Sequence, residues 1–151
     1  MLSNTERGRA FQLLCREALS RALGRDVDLE VPIQIGSGKP HIFDLATKEG
    51  DVVAECKAFA FTAAGNNPSA KITTLREATV YLRSVPGEVR RVLIVKRAPH
   101  PKRGETLGQY FVRLNPNFVD RITVLEMPET GGELVCLHGS FRALTAVEAQ
   151  S

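Results

Sequence analysis

Apolar residues at Phe11, Leu14, Cys15, Ala18, Leu19, Ala22 and Leu23 recur every three or four positions, a spacing that predicts a helix with this stripe buried. Ser3-Asn4-Thr5-Glu6 ahead of it has the form of a capping box, in which hydroxyl and carboxylate close the first turn reciprocally, and Gly24 supplies the stop. The period then changes. Leu29, Val31, Ile33 and Ile35 alternate with Glu30, Pro32 and Gln34, which predicts a strand with the four apolar residues on one face. Pro32 has no N–H for a ladder and so places that strand at an edge or beside a bulge. Two further strands are expected near 41–47 and 51–59, joined as a hairpin through Lys48-Glu49-Gly50-Asp51.

After a loop rich in Gly, Asn and Pro, Asn67-Pro68 reads as a cap with proline in the first turn of a helix carrying Ile72, Leu75, Thr79, Leu82 and Val85. Val92-Leu93-Ile94-Val95 is a continuous apolar run, the mark of a strand buried on both faces. A short helix near 105–114 is expected to bury Leu107, Tyr110, Phe111 and Leu114, and a last hairpin joins 122–127 to 134–138 across Thr130-Gly131-Gly132. The order is α-β-β-β-α-β followed by α-β-β, with no internal repeat. This is an α/β pattern.

Composition narrows the class. A chain of 151 residues suits one domain spanning 1–151. Its longest apolar run is about four residues, far below the ~18 a membrane helix needs, and the first residues lack the apolar block of a signal peptide. A hydrophobic fraction of 43% with a net charge of only +3 argues against disorder. Cys15, Cys56 and Cys136 are scattered singly, neither a disulfide framework nor a zinc spacing, so a reducing, cytoplasmic setting is expected. Of the 20 cations 14 are Arg, whose planar fork suits phosphate.

The first hairpin holds the candidate chemistry. With Glu49-Gly50 as a two-residue turn, facing residues have numbers summing to 99, so Asp44 faces Glu55 and Ala46 faces Val53. Lys57 points to the side of Glu55 because strand side chains alternate, while Val52, Ala54, Cys56 and Ala58 point the other way. Facing like charges destabilise paired strands. A hard divalent cation such as Mg²⁺ or Mn²⁺, held by one or two carboxylates, would reconcile them. Lys57 beside it would steady negative charge that builds on a phosphate. On a solvated strand, by contrast, Glu-x-Lys is a common tripeptide and mere surface decoration; the facing Asp44 and the apolar reverse face weigh against that.

Phe43-Asp44-Leu45, Glu55-Cys56-Lys57 and the order of elements over about 5–97 resemble the PD-(D/E)XK, or restriction-endonuclease-like, nucleases. The resemblance implies an αβββαβ core with a mixed central sheet flanked by helices, to which the last helix and β-hairpin are added. It implies a Mg²⁺-dependent (or Mn²⁺-dependent) endonuclease acting on DNA. Asp44, Glu55 and the backbone oxygen of Cys56 would then be metal ligands, and Lys57 catalytic. Many relatives carry an acid on the first helix, four residues after a glycine. Gly8 matches, but Gln12 stands at the acidic position, within reach of a metal-bound water. Glu6 and Glu17 are expected in solvent.

Lys96, Arg97, Lys102 and Arg103, with His100, form the densest basic run, and Lys71 sits where a cation opposes the helix dipole. Phosphate contact and plain solvation both account for these residues. His41 and His138 read as ordinary strand polar positions. Aromatic residues are few and Trp is absent, so no stacking platform for single strands is evident. Three functions stand: a DNA nuclease, a catalytically retired DNA- or partner-binding module on the same fold, and a structural α/β subunit whose triad is a salt-bridge network. Cutting both strands with one site per chain would call for a homodimer.

Overall fold

Helix α1 (Asn4–Leu23) starts where its capping box is written. Ser3 Oγ accepts from the Glu6 N–H at 3.1 Å, and the Glu6 carboxylate accepts from the Ser3 N–H at 2.7 Å. Gly24 ends it at φ 68°, a left-handed turn that glycine adopts without strain. The computed structural model describes residues 1–140, and their elements follow the expected order. Strands β1 (Val27–Ile33), β2 (His41–Thr47) and β3 (Val52–Lys57) form an antiparallel meander. Helix α2 (Ser69–Arg83) leads to β4 (Arg90–Lys96), and α3 (Leu107–Leu114) to β5 (Thr123–Met127) and β6 (Val135–His138).

The six strands lie side by side in chain order. β3, β4 and β5 are parallel and β6 returns antiparallel, so the sheet is mixed. Helices cover both faces. Helix α1 packs over Leu45, Val52, Ala54, Val92, Ile94 and Leu125. α2 and α3 pack over Phe43, Ala46, Val53, Leu93, Val95 and Val124 on the other face. The apolar run of β4 is thereby divided between two cores, which is why it does not alternate. Among the described residues no helix is long and apolar enough to cross a membrane.

The hairpin register is the expected one, with Leu45 opposite Ala54 and Ala46 opposite Val53. Gly50, at φ 72°, makes the turn. The alternation of β1 is different from the expected one. Leu29 packs on the α1 side, whereas Val31 and Ile33 pack on the α2 side. Glu30 has φ 51°, which turns the strand over. Pairing with β2 passes from Leu29–Leu45 to Val31–Phe43, leaving Glu30 and Asp44 opposite each other without a bridge. β2 turns over at the same point, since Phe43 and Leu45 also lie on opposite faces. Asp44 therefore sits at a reversal in the strand, and its side chain reaches along the sheet toward β3.

Three smaller expectations also change. Leu14 is 43% exposed while Gln12 is buried, and Leu114 is exposed rather than buried. Pro68 itself occupies the cap position of α2 without a side-chain cap, while Asn67 accepts from the Tyr110 hydroxyl. Arg91 closes the far end of α2, donating to the carbonyls of Leu82, Val85, Gly87 and Val89.

Candidate active site

Beyond Leu45–Ala54 the β2–β3 ladder stops, so Asp44 and Glu55 are not a ladder pair. They meet through their side chains instead. The Cys56 N–H donates to Asp44 Oδ2 at 2.7 Å, and the Asp44 carboxyl lies close enough to Glu55 to act on it directly. Glu55 is nearly buried, at 5% exposed. That burial, then the charge and hydrogen bond of Asp44, push its pKa up to about 9, with Lys57 acting in the opposite sense. Two carboxyls in contact cannot both ionise cheaply. Around neutral pH this pair holds a proton.

His41 is a site residue that its sequence context concealed. Its Nε2 lies 2.8 Å from Glu55 Oε1, and its ring stacks on Tyr81 at 3.9 Å while meeting the edge of Phe43. Burial lowers its pKa, with Lys57 adding to that and Asp44 and Glu77 opposing it. A neutral imidazole held between Tyr81 and Glu55 is a fixed orienting group for the carboxyl. The sequence signal, a histidine at the start of a strand, is too common to single it out.

Gln12 is tied to the site through its amide nitrogen. Its Nε2 donates to the backbone carbonyl of Asp44 at 3.0 Å, so it secures the reversed strand to α1. Cys56 packs on the α1 side among apolar neighbours. Burial, followed by its contact with Cys15, raises the Cys56 thiol well above its ordinary range. Such a thiol is no nucleophile at neutral pH.

The basic residues divide into two groups. Lys57, Lys71 and Lys96 line one groove at the ends of β3 and β4, and Lys71 Nζ also donates to the Ala60 carbonyl. Arg97 Nη1 lies 3.2 Å from Glu126 Oε1, so its charge is already engaged, although half of its side chain remains exposed. Lys102 and Arg103 stand on an exposed turn. That turn is built on His100, which is buried: its Nδ1 accepts from both of their N–H groups and its Nε2 meets the Gly65 carbonyl. His100 is therefore the pin of the loop rather than part of its charge.

Among the described residues no cluster of three or more His, Cys, Asp or Glu side chains is arranged to hold a metal. Comparison with protein-family models, curated proteins and solved structures gives no match.

Proposed function

We propose that this chain is a metal-dependent nuclease that hydrolyses phosphodiester bonds of DNA, on a restriction-endonuclease-like fold. One observation carries the reading: Asp44 and Glu55 are forced together at a strand reversal, and Glu55 is pushed up to about 9 there. A fold tolerates such strain at a functional site more readily than elsewhere. A divalent cation would relieve it. Asp44 and Glu55 would hold the ion, with the backbone oxygen of Cys56 as a further ligand. A cation so placed lowers the pKa of a bound water and polarises a phosphoryl oxygen.

The chain's own groups supply the rest. Lys57 makes no ion pair among the described residues, so its ammonium is available to a phosphate as negative charge builds. His41 orients Glu55, and Gln12 holds the backbone of Asp44. Lys71, Lys96, Lys102 and Arg103 would contact the phosphate backbone, Arg97 more weakly because of Glu126. The retired binding module remains the second reading, favoured by Gln12, a structural tie where the resemblance expects an acid.

Purified protein incubated with plasmid and with single-stranded DNA, in Mg²⁺, Mn²⁺ or EDTA, separates them. Metal-dependent cleavage is expected. Salt-sensitive binding without cleavage would select the retired module, and absence of both would select a structural subunit. Sedimentation of the protein alone and on a cleaved duplex tests the homodimer.

A further inference from the structure

The groove beside Lys57 has a second property besides its charge. It measures about 850 Å³ and is walled by Arg7, Lys57, Lys71 and Lys96 against, among the described residues, a single carboxylate, Glu129. None of the four cations is ion-paired among the described residues. Between them the groove exposes apolar surface: Leu2 is 56% and Leu14 43% exposed, with half-buried Phe59 beside them. Leu14 belongs to the apolar stripe of α1 and, on periodicity, should be buried. Free cations interleaved with exposed apolar side chains fit a ligand that alternates phosphates with flat apolar faces.

Building on the nuclease reading, we infer that this groove receives single-stranded DNA, with phosphates on Arg7, Lys57, Lys71 and Lys96 and bases against Leu2, Leu14 and Phe59. A duplex turns only sugar and phosphate outward at its strands and keeps its base faces stacked inside. It would leave the apolar wall uncovered. A single strand exposes those faces, and grooves for single strands combine basic tracks with aromatic stacking surfaces, a part Phe59 could take here. Here Leu2 and Leu14 would only cover base faces by apolar contact beside Phe59. The strand would run past Lys57, two residues along β3 from Glu55.

The test is fluorescence anisotropy on the full chain in EDTA, with a labelled mixed-sequence oligonucleotide and a hairpin duplex of the same sequence. Single-strand binding tighter than duplex binding by about tenfold or more is expected. Leu14→Gln, at an exposed position, should weaken single-strand binding roughly fivefold, as expected for losing a half-exposed leucine contact, and leave duplex binding unchanged. Arg7→Ala should reduce the slope of log affinity against log salt by ~0.7 for the single strand. Equal affinity for duplex and single strand would overturn the inference, as would an unchanged affinity in Leu14→Gln or no binding. Displacement by polyglutamate as readily as by DNA would also overturn it, because charge alone would then explain binding. Cleavage in Mg²⁺ or Mn²⁺ is scored separately. Single-strand preference without cleavage would uphold the groove and remove the nuclease, whereas duplex cleavage without that preference would do the reverse.

Discussion

The backbone N–H of Cys56 donates to Asp44 Oδ2 at 2.7 Å, a side-chain acceptor where β2 would otherwise offer a carbonyl. This one bond fixes the geometry of the site. It holds the Asp44 carboxylate against β3, beyond the last ladder pair Leu45–Ala54 and beside Glu55. The reversal at Glu30 and Asp44 makes the opening possible, and Gln12 anchors it from α1.

Lys57 is the residue whose loss should separate chemistry from metal binding. Lys57→Ala is expected to lower the cleavage rate about a thousandfold, equivalent to ~4 kcal/mol of transition-state stabilisation. Metal-dependent stabilisation should persist, because an ammonium is no ligand. Cleavage kinetics beside thermal melts in Mg²⁺ check both halves, and wild-type rates in the variant would remove Lys57 from the mechanism.

The raised pKa of Glu55 sets a pH dependence. A carboxyl whose folded pKa exceeds its unfolded one adds stability that is complete below the ordinary carboxylate range and lost as pH rises through about 9. His41 is lowered instead, so its contribution is lost as pH falls through its folded pKa, and it stays constant above the ordinary histidine range. Between about pH 7 and 9, Glu55 therefore acts without His41. Without metal, the melting temperature of wild type should fall across this window more than that of Glu55→Gln, which keeps a hydrogen-bonding group beside His41. Parallel curves for the two proteins would show that Glu55 is ionised throughout.

His41→Phe preserves the ring that stacks on Tyr81 and deletes the Nε2 contact to Glu55. A hydrogen bond of this kind contributes about 1 kcal/mol, so the loss should appear as roughly fivefold weaker apparent metal affinity, read by titrating cleavage with Mg²⁺. His41→Gln, which can still hydrogen-bond to Glu55, should recover part of it. An unaltered titration in both variants would make His41 a packing residue only.

For the basic turn, Lys102→Ala with Arg103→Ala should flatten the salt dependence of duplex binding by up to about 0.9 log units per lost phosphate contact, without changing sequence preference. An unchanged slope would return the turn to solvent.

Local signals carried most of the fold. The Ser3–Glu6 box, Gly24, Gly50 and the Val92–Val95 run each prescribe their own element through short-range chemistry, and the hairpin register followed from its turn. What escaped depends on distant partners. A positive φ at Glu30, in a residue other than glycine, has no pattern to announce it. Gln12 turns inward, and Leu14 outward, only because a carbonyl 32 residues away needs a donor. His41 gains its role from Glu55 on the next strand and Tyr81 on α2. Pairing arithmetic puts Asp44, Glu55 and Lys57 on neighbouring strands, but the reversal that replaces the Asp44–Glu55 ladder pair by side-chain contact, and the hydrogen bonds that hold it, leave no local pattern.

The most direct measurement is the thermal melt of wild type and Asp44→Asn with EDTA and with saturating Mg²⁺ or Mn²⁺. Asn keeps an oxygen to accept from the Cys56 N–H, so the hairpin should stay intact while one metal-binding charge disappears. A cation at about a hundred times its dissociation constant stabilises by ~2.7 kcal/mol, which on a domain of this size raises the melting temperature by roughly 5–10 °C. The account predicts that rise for wild type and little of it for Asp44→Asn. No metal-dependent shift in wild type would contradict it, and would leave Asp44, Glu55 and Lys57 as a structural network of charges.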